Sequence, residues 1–134
     1  MKKLIALIVC LFVFTPAISF ANAADILTSL QTARGKLVAL LGATDKGSQT
    51  ALVQEIKTAT QEVDKTIAAT LADPATSADL KTKLPELKTI WTDFQKTRDT
   101  EIIPAILAGD KDKAKGLAQG IQVERFKKMS GLLQ

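Results

Sequence analysis

Histidine and tyrosine are absent from this 134-residue chain, and cysteine and tryptophan occur once each, as Cys10 and Trp91. Without histidine, haem cannot be attached through Cys-x-x-Cys-His or ligated by an imidazole, and beyond the N-terminal segment only Met129 is left as a soft ligand. Di-iron bundles need Glu-x-x-His pairs, histidine phosphotransfer needs its histidine, and zinc would have to rest on carboxylates alone. A Ser or Thr nucleophile would need Lys or a carboxylate as its base, and no motif marks one. The residues therefore predict no cofactor, no metal and no enzymatic activity. With 46% hydrophobic and 24% charged residues the composition is that of one folded domain rather than a disordered chain.

One long apolar run is present, and it lies at the start. Met1-Lys2-Lys3 supplies positive charge, Leu4 to Phe14 is unbroken apolar sequence, Pro16 interrupts it, and Ala21-Asn22-Ala23 offers the small residues that a signal peptidase reads. Residues 1–23 are thus expected to be a secretory signal peptide and 24–134 the mature domain, with cleavage after Ala21, using Ser19 and Ala21, as a near alternative. Cys10 follows Leu7-Ile8-Val9 rather than a small residue, which argues against lipidation. The competing reading is an uncleaved inner-membrane anchor from Leu4 to Phe20, at the short end of the roughly 17–25 residues that span a bilayer. The expected location is the periplasm. Losing Lys2 and Lys3 lowers the formal net charge from +4 to +2, and the remaining charges alternate in sign, so nucleic acid is not an expected partner.

Residues 24–134 divide into four helical segments. Ile26, Leu30, Ala33, Leu37 and Leu40 fall at alternating spacings of 4 and 3, with Gly42 placed to end the first helix. Ser48 is the expected N-cap of the second, which runs through Val53, Ile56, Thr60, Val63 and Ile67 to about Ala72, where Asp73-Pro74 stops it. The third carries Leu84, Leu87, Trp91, Phe94, Arg98, Glu101 and Ala105, with Pro85 read in its first turn and its end at Ala108-Gly109; whether residues 76–84 join it is left open. Asp110 caps the fourth, with Ala114, Leu117, Ile121, Met129 and Leu132 or Leu133 as its less regular stripe. Four matched helices joined by short loops predict an all-α, antiparallel up-down-up-down four-helix bundle, and the 3.5-residue repeat predicts left-handed, coiled-coil-like packing.

At the third helix the residues resemble a known family. Leu84-Pro-Glu-Leu-Lys-Thr-Ile-Trp-Thr-Asp-Phe-Gln-Lys-Thr-Arg-Asp, then Ile102-Ile-Pro-Ala-Ile-Leu-Ala-Gly-Asp, then Ala114, Leu117, Gly120 and Phe126, are similar to the second half of the four-helix-bundle sensor domain of methyl-accepting chemotaxis receptors. The resemblance spans roughly residues 84–133, while 24–75 match in length and pattern. It implies a sensory bundle that binds a small solute, often at a dimer interface, and a possible membrane signalling partner that supplies the output. Those receptors continue into a second membrane helix and a signalling domain, whereas the given sequence stops at Gln134, so it looks like a free-standing sensor bundle.

Four residues are candidate ligand contacts. Arg98 and Glu101, three residues apart on one face, can pair, and Arg125 of the last helix can complete a polar layer. That layer reads either as a register-fixing ion pair or as a carboxylate site in which an arginine forks onto the ligand. Trp91, with Phe94, reads as core or as a stacking platform. Pro104, inside the third helix, frees the carbonyl of Thr100 and predicts a kink just after the Arg98/Glu101 level, unless the helix ends there. Gly116 and Gly120 are flanked by Lys111, Lys113, Lys115 and Glu124, which excludes a membrane dimer face and leaves close helix approach or simple tolerance. Two other classes stay open. Leu27-Thr28-Ser29-Leu30-Gln31 is similar to the Leu-Thr-x-x-Gln motif of small periplasmic stress chaperones, and a structural interaction bundle of the cell envelope fits the same helices.

Overall fold

The computed structural model describes residues 22–134, so the proposed signal peptide, Cys10 and the alternative anchor lie outside the described residues, Asn22 and Ala23 excepted. The first helix, α1 (Ala23–Gly42), starts at a capping box. The Asn22 side chain accepts from the backbone N–H groups of Ala24 and Asp25, at 2.8 and 3.1 Å, and Asp25 accepts from the Asn22 N–H. All five apolar residues of its expected stripe are buried.

The second helix, α2 (Lys46–Ala72), is capped by Asp45 rather than Ser48: the Asp45 carboxylate accepts from the Ser48 N–H at 2.8 Å. An aspartate three residues upstream reaches the free N–H first, so Ser48 lies inside the first turn. Asp73 ends the helix, as the following proline requires. The third helix, α3 (Ala78–Thr97), is capped by Ser77, so residues from Ala78 belong to it. Pro85 consequently sits in the helix interior rather than in the first turn, with its ring on the exposed side.

Beyond Thr97 the helix widens into a π-helical turn, Arg98–Ile102, and resumes as α4 (Ile103–Leu107). Gly109, at φ 85°, closes it: the N–H of Gly109 bonds to Ile106 and that of Asp110 to Ala105, the paired bonds of a left-handed helix terminus. Asp110 then caps α5 (Lys111–Gln119), and a break at Gly120 separates it from α6 (Ile121–Leu132). No strand occurs among the described residues.

The helices close a ring: α1 packs along α2, α2 against α3, α3 against α6, and α5 returns to α1. This is the antiparallel four-helix bundle expected from the sequence, its fourth corner shared by two helical segments. Leu30, Leu37, Ile56, Leu84, Leu87, Trp91, Phe94 and Met129 are among the side chains that fill the centre. No described helix is long and apolar enough to cross a membrane.

Candidate functional site

Pro104 has no N–H to give the carbonyl of Thr100, so a regular turn ahead of it would leave an acceptor unsatisfied. The chain answers with the π turn, in which the Ile103 N–H reaches back to Arg98. The expected disturbance after Arg98 therefore exists, as a widened turn in a helix that continues. One added residue changes every later orientation. Ile102 turns into the core and Glu101 is carried to the exposed surface, so the expected Arg98–Glu101 pair does not form.

Arg98 itself is only 2% exposed. Its Nε and Nη2 fork onto the neighbouring Asp99 carboxylate at 2.7 and 3.0 Å, and its Nη1 donates to the Thr60 hydroxyl of α2 at 2.9 Å. Thr60 in turn donates to the carbonyl of Ile56 at 2.7 Å, which orients its lone pairs toward the arginine. The guanidinium carbon lies 5.9 Å from the Trp91 ring. Trp91 stacks on Phe94 at 5.4 Å and donates from Nε1 to Asp64 at 2.8 Å. From α6, Arg125 Nη1 donates to the Thr97 hydroxyl at 2.7 Å and to Gln122 Oε1 at 3.1 Å, while Gln122 Nε2 donates to the backbone carbonyl of Phe94 at 2.8 Å.

The structure thus gathers Trp91, Arg98 and, from α6, Arg125 around the C-terminal end of α3 and leaves Glu101 outside. Buried charge of this kind is held by its partners and offers little to a ligand: Arg98 faces protein acceptors on both prongs of its fork. These contacts bind α2, α3 and α6 together at the level of the π turn.

The concave site lies across the bundle. Between α1 and the α5–α6 joint is a cavity of about 210 Å³, walled by Leu37, Leu41, Phe94, Ala118 and Val123, with the Gln122 side chain at its lining and Arg34 beside it. The Arg34 guanidinium stands 4.9 Å from the Phe126 ring and makes no hydrogen bond or ion pair among the described residues. An arginine with its planar donors unused, next to an apolar hollow, has the donor geometry to fork onto a carboxylate. A 150 Å³ apolar cavity accommodates a benzene ring, so this volume suits a single ring or a short branched chain. Wider depressions are less specific. The one on the α1–α2 face, about 400 Å³, is lined by Asp25, Ala59 and Glu62 and by Thr28, Ser29, Thr32 and Thr66, and the hydroxyls of the last four donate to carbonyls of their own helices.

Sequence reasoning missed Arg34 because it flanks the core stripe, one residue after Ala33, and belongs to no motif. A signal was available: the helical neighbours at three and four residues, Leu30, Gln31, Leu37 and Val38, include no acid to hold it. In the chaperone-like stretch of α1, the variable positions Ser29 and Leu30 are buried, whereas Leu27 is half-buried and Thr28 and Gln31 are exposed.

No curated protein and no solved structure matches this chain significantly. The family model of the four-helix-bundle sensory module for signal transduction matches residues 15–134, which covers every described element. Joined with the observed ring of helices, that match places the chain in the family of four-helix-bundle sensory modules for signal transduction.

Proposed function

We propose that the protein is an exported, periplasmic, non-enzymatic sensory bundle whose solute is a small carboxylate with one ring or a short branched chain, received between α1 and the α5–α6 joint. The observation that carries this reading is Arg34 beside the 210 Å³ apolar cavity. Phe94, Leu37 and Leu41 take the apolar body, Arg34 forks onto the carboxylate, and the Gln122 amide is within the lining to sense the occupant. Trp91, Arg98 and Arg125 act as the frame behind the site, and Glu101 as a surface residue. Output passes to a membrane signalling partner, with a homodimer of bundles as a possible receiving form. The basic, apolar N-terminal segment supports export, and the family supports the sensing role.

Benzoate is the first probe. Added to the purified protein at 100 times its dissociation constant, it is expected to stabilise the bundle by about 2.7 kcal/mol and to change Trp91 emission through Phe94. Arg34→Gln should weaken it at least about tenfold, the effect of losing a charge-assisted pair, and Ala118→Leu should abolish binding by filling the hollow. Equal binding by Arg34→Gln, or no response to benzoate or to 3-methylbutyrate, rejects the site. Fractionation of expressing cells tests export: mature protein released from the periplasm supports it, and retention in the membrane favours the anchor.

A further inference from the structure

Gly120 has φ −90° and ψ −105°, outside the helical region, and a Cβ built on it would stand 2.9 Å from the carbonyl oxygen of Gly116. Only glycine fits the break as it stands. Immediately beyond it, the side chains are inverted relative to their chemistry: Ile121 is 45% exposed and the amide of Gln122 is buried, at 2%.

In an unbroken helix the order would reverse. Ile121 follows Leu117 by four residues and Ala114 by seven, so continuous helix carries Ile121 onto the same inward face and moves Gln122 aside by roughly 100°, the rotation of one residue. One sequence therefore supports two registers. Burial of Ile121 favours the continuous one, although the same rotation turns Met129 and Phe126 away from the centre and brings Lys128 toward it. Hydrogen bonding favours the broken one, because only there does Gln122 donate to the Phe94 carbonyl and accept from Arg125. Ala118, Gln119, Gln122 and Val123 span the joint and line the cavity, so a change of register moves one whole wall of it.

We propose that the α5–α6 joint is a two-register switch: the broken register holds the cavity open and Gln122 on α3, and the continuous register closes the cavity and releases Gln122. A ligand that fits only the open cavity selects the broken register, since it binds that state and not the other. This last step rests on the cavity reading above; the existence of two registers does not. Output follows from the geometry. The same residue that forms the cavity wall holds the α3 backbone at Phe94, one turn ahead of Arg98 and the π turn, and rotation of α6 turns the C-terminal helix as a unit.

Two variants push the joint in opposite directions. Gly120→Ala disfavours the break, and Ile121→Ser removes the reward for closing it at an exposed position. Nuclear magnetic resonance of the whole protein without ligand reads the register through exchange protection of the Gln122 side-chain amide and through microsecond–millisecond exchange near residues 116–123 and 94–98. Gly120→Ala should fold, lose the Gln122 protection and bind benzoate at least about tenfold more weakly, while Ile121→Ser keeps the protection and binds benzoate at least as tightly as the natural chain. Retained Gln122 protection in Gly120→Ala, with only a lower melting temperature, overturns the switch. If that variant does not fold, exchange in the natural chain decides: present at the joint it supports two registers, absent it refutes them. If benzoate binds none of the three proteins but Gln122 protection divides them as expected, the switch stands and the ligand assignment falls.

Discussion

The first two helices and the last two are built from similar residues but in different ways. In α1 and α2 the chain runs 20 and 27 residues without a break, and the polar side chains it buries, Ser29, Gln49, Thr66 and Thr70, donate to backbone carbonyls close by in sequence. Threonines are plentiful there, yet Thr28, Thr32, Thr50, Thr58, Thr66 and Thr70 all donate to a carbonyl four residues back in their own helix. The other half carries a proline inside α3 and is interrupted at the π turn, at Gly109 and at Gly120. It is also the half that sends Arg98 and Gln122 into the interior and receives a side-chain donor on the backbone of Phe94. Regular helices bury what their period selects. A local fault in the helix changes that selection and turns long polar side chains onto neighbouring helices, as at Arg98 and Gln122, and the candidate cavity sits over one such fault.

The largest effect expected to sharpen this contrast comes from the core. Trp91→Ala should cost about 3–5 kcal/mol by urea denaturation, against about 2–5 kcal/mol for Leu30→Ala in the regular half. A Trp91→Ala loss below that of Leu30→Ala would mean that the interrupted half is loosely packed even where it looks filled. Next comes Pro85→Ala. The proline lies inside α3 on its exposed side, so restoring the N–H to the carbonyl of Lys81 should raise stability by about 1–3 kcal/mol. No gain would show that α3 has already adapted to its proline, as the chain has to Pro104.

The smallest effect belongs to the regular half and depends on pH. Hydrogen bonds from Ser48, its side chain first and then its backbone, hold the Asp45 carboxyl below its ordinary value. A carboxylate depressed in the folded state contributes stability above its unfolded-state value and loses it as pH falls through the folded one. The difference in melting temperature between the natural chain and Asp45→Ala should therefore be present at neutral pH and shrink below the ordinary carboxylate range. A difference that persists unchanged in acid would show that the neutral carboxyl caps as well as the carboxylate, and no difference at any pH would take the cap away from Asp45.

The fold was legible because burial follows period. The stripe of α1 and the stop at Asp73-Pro74 need only spacing and the geometry of proline to be read. Asp45 was harder, since two capping residues compete three positions apart and the choice depends on which loop conformation the bundle permits. Glu101 was misplaced for a different reason: a repeat of 3 and 4 assumes an unbroken helix, and the widened turn at Pro104 shifts Ile102 inward by one position. Ile121 was displaced in the same way at Gly120. Arg34 carried no motif because its significance lies in missing partners and in a cavity made by four helical segments, neither of which is a property of local sequence.

If the proposed leader is removed, the capping box of α1 links the bundle's durability to the position of the cut. Trimming of the proposed leader after Ala21 leaves Asn22 as the first residue, its carbonyl side chain still closing the turn and its new amino group facing Asp25. Trimming after Ala23 discards the cap together with the first helical residue, at a cost of about 1 kcal/mol typical of such losses. Under the proposed export, the two cleavage positions would therefore yield mature proteins of unequal durability.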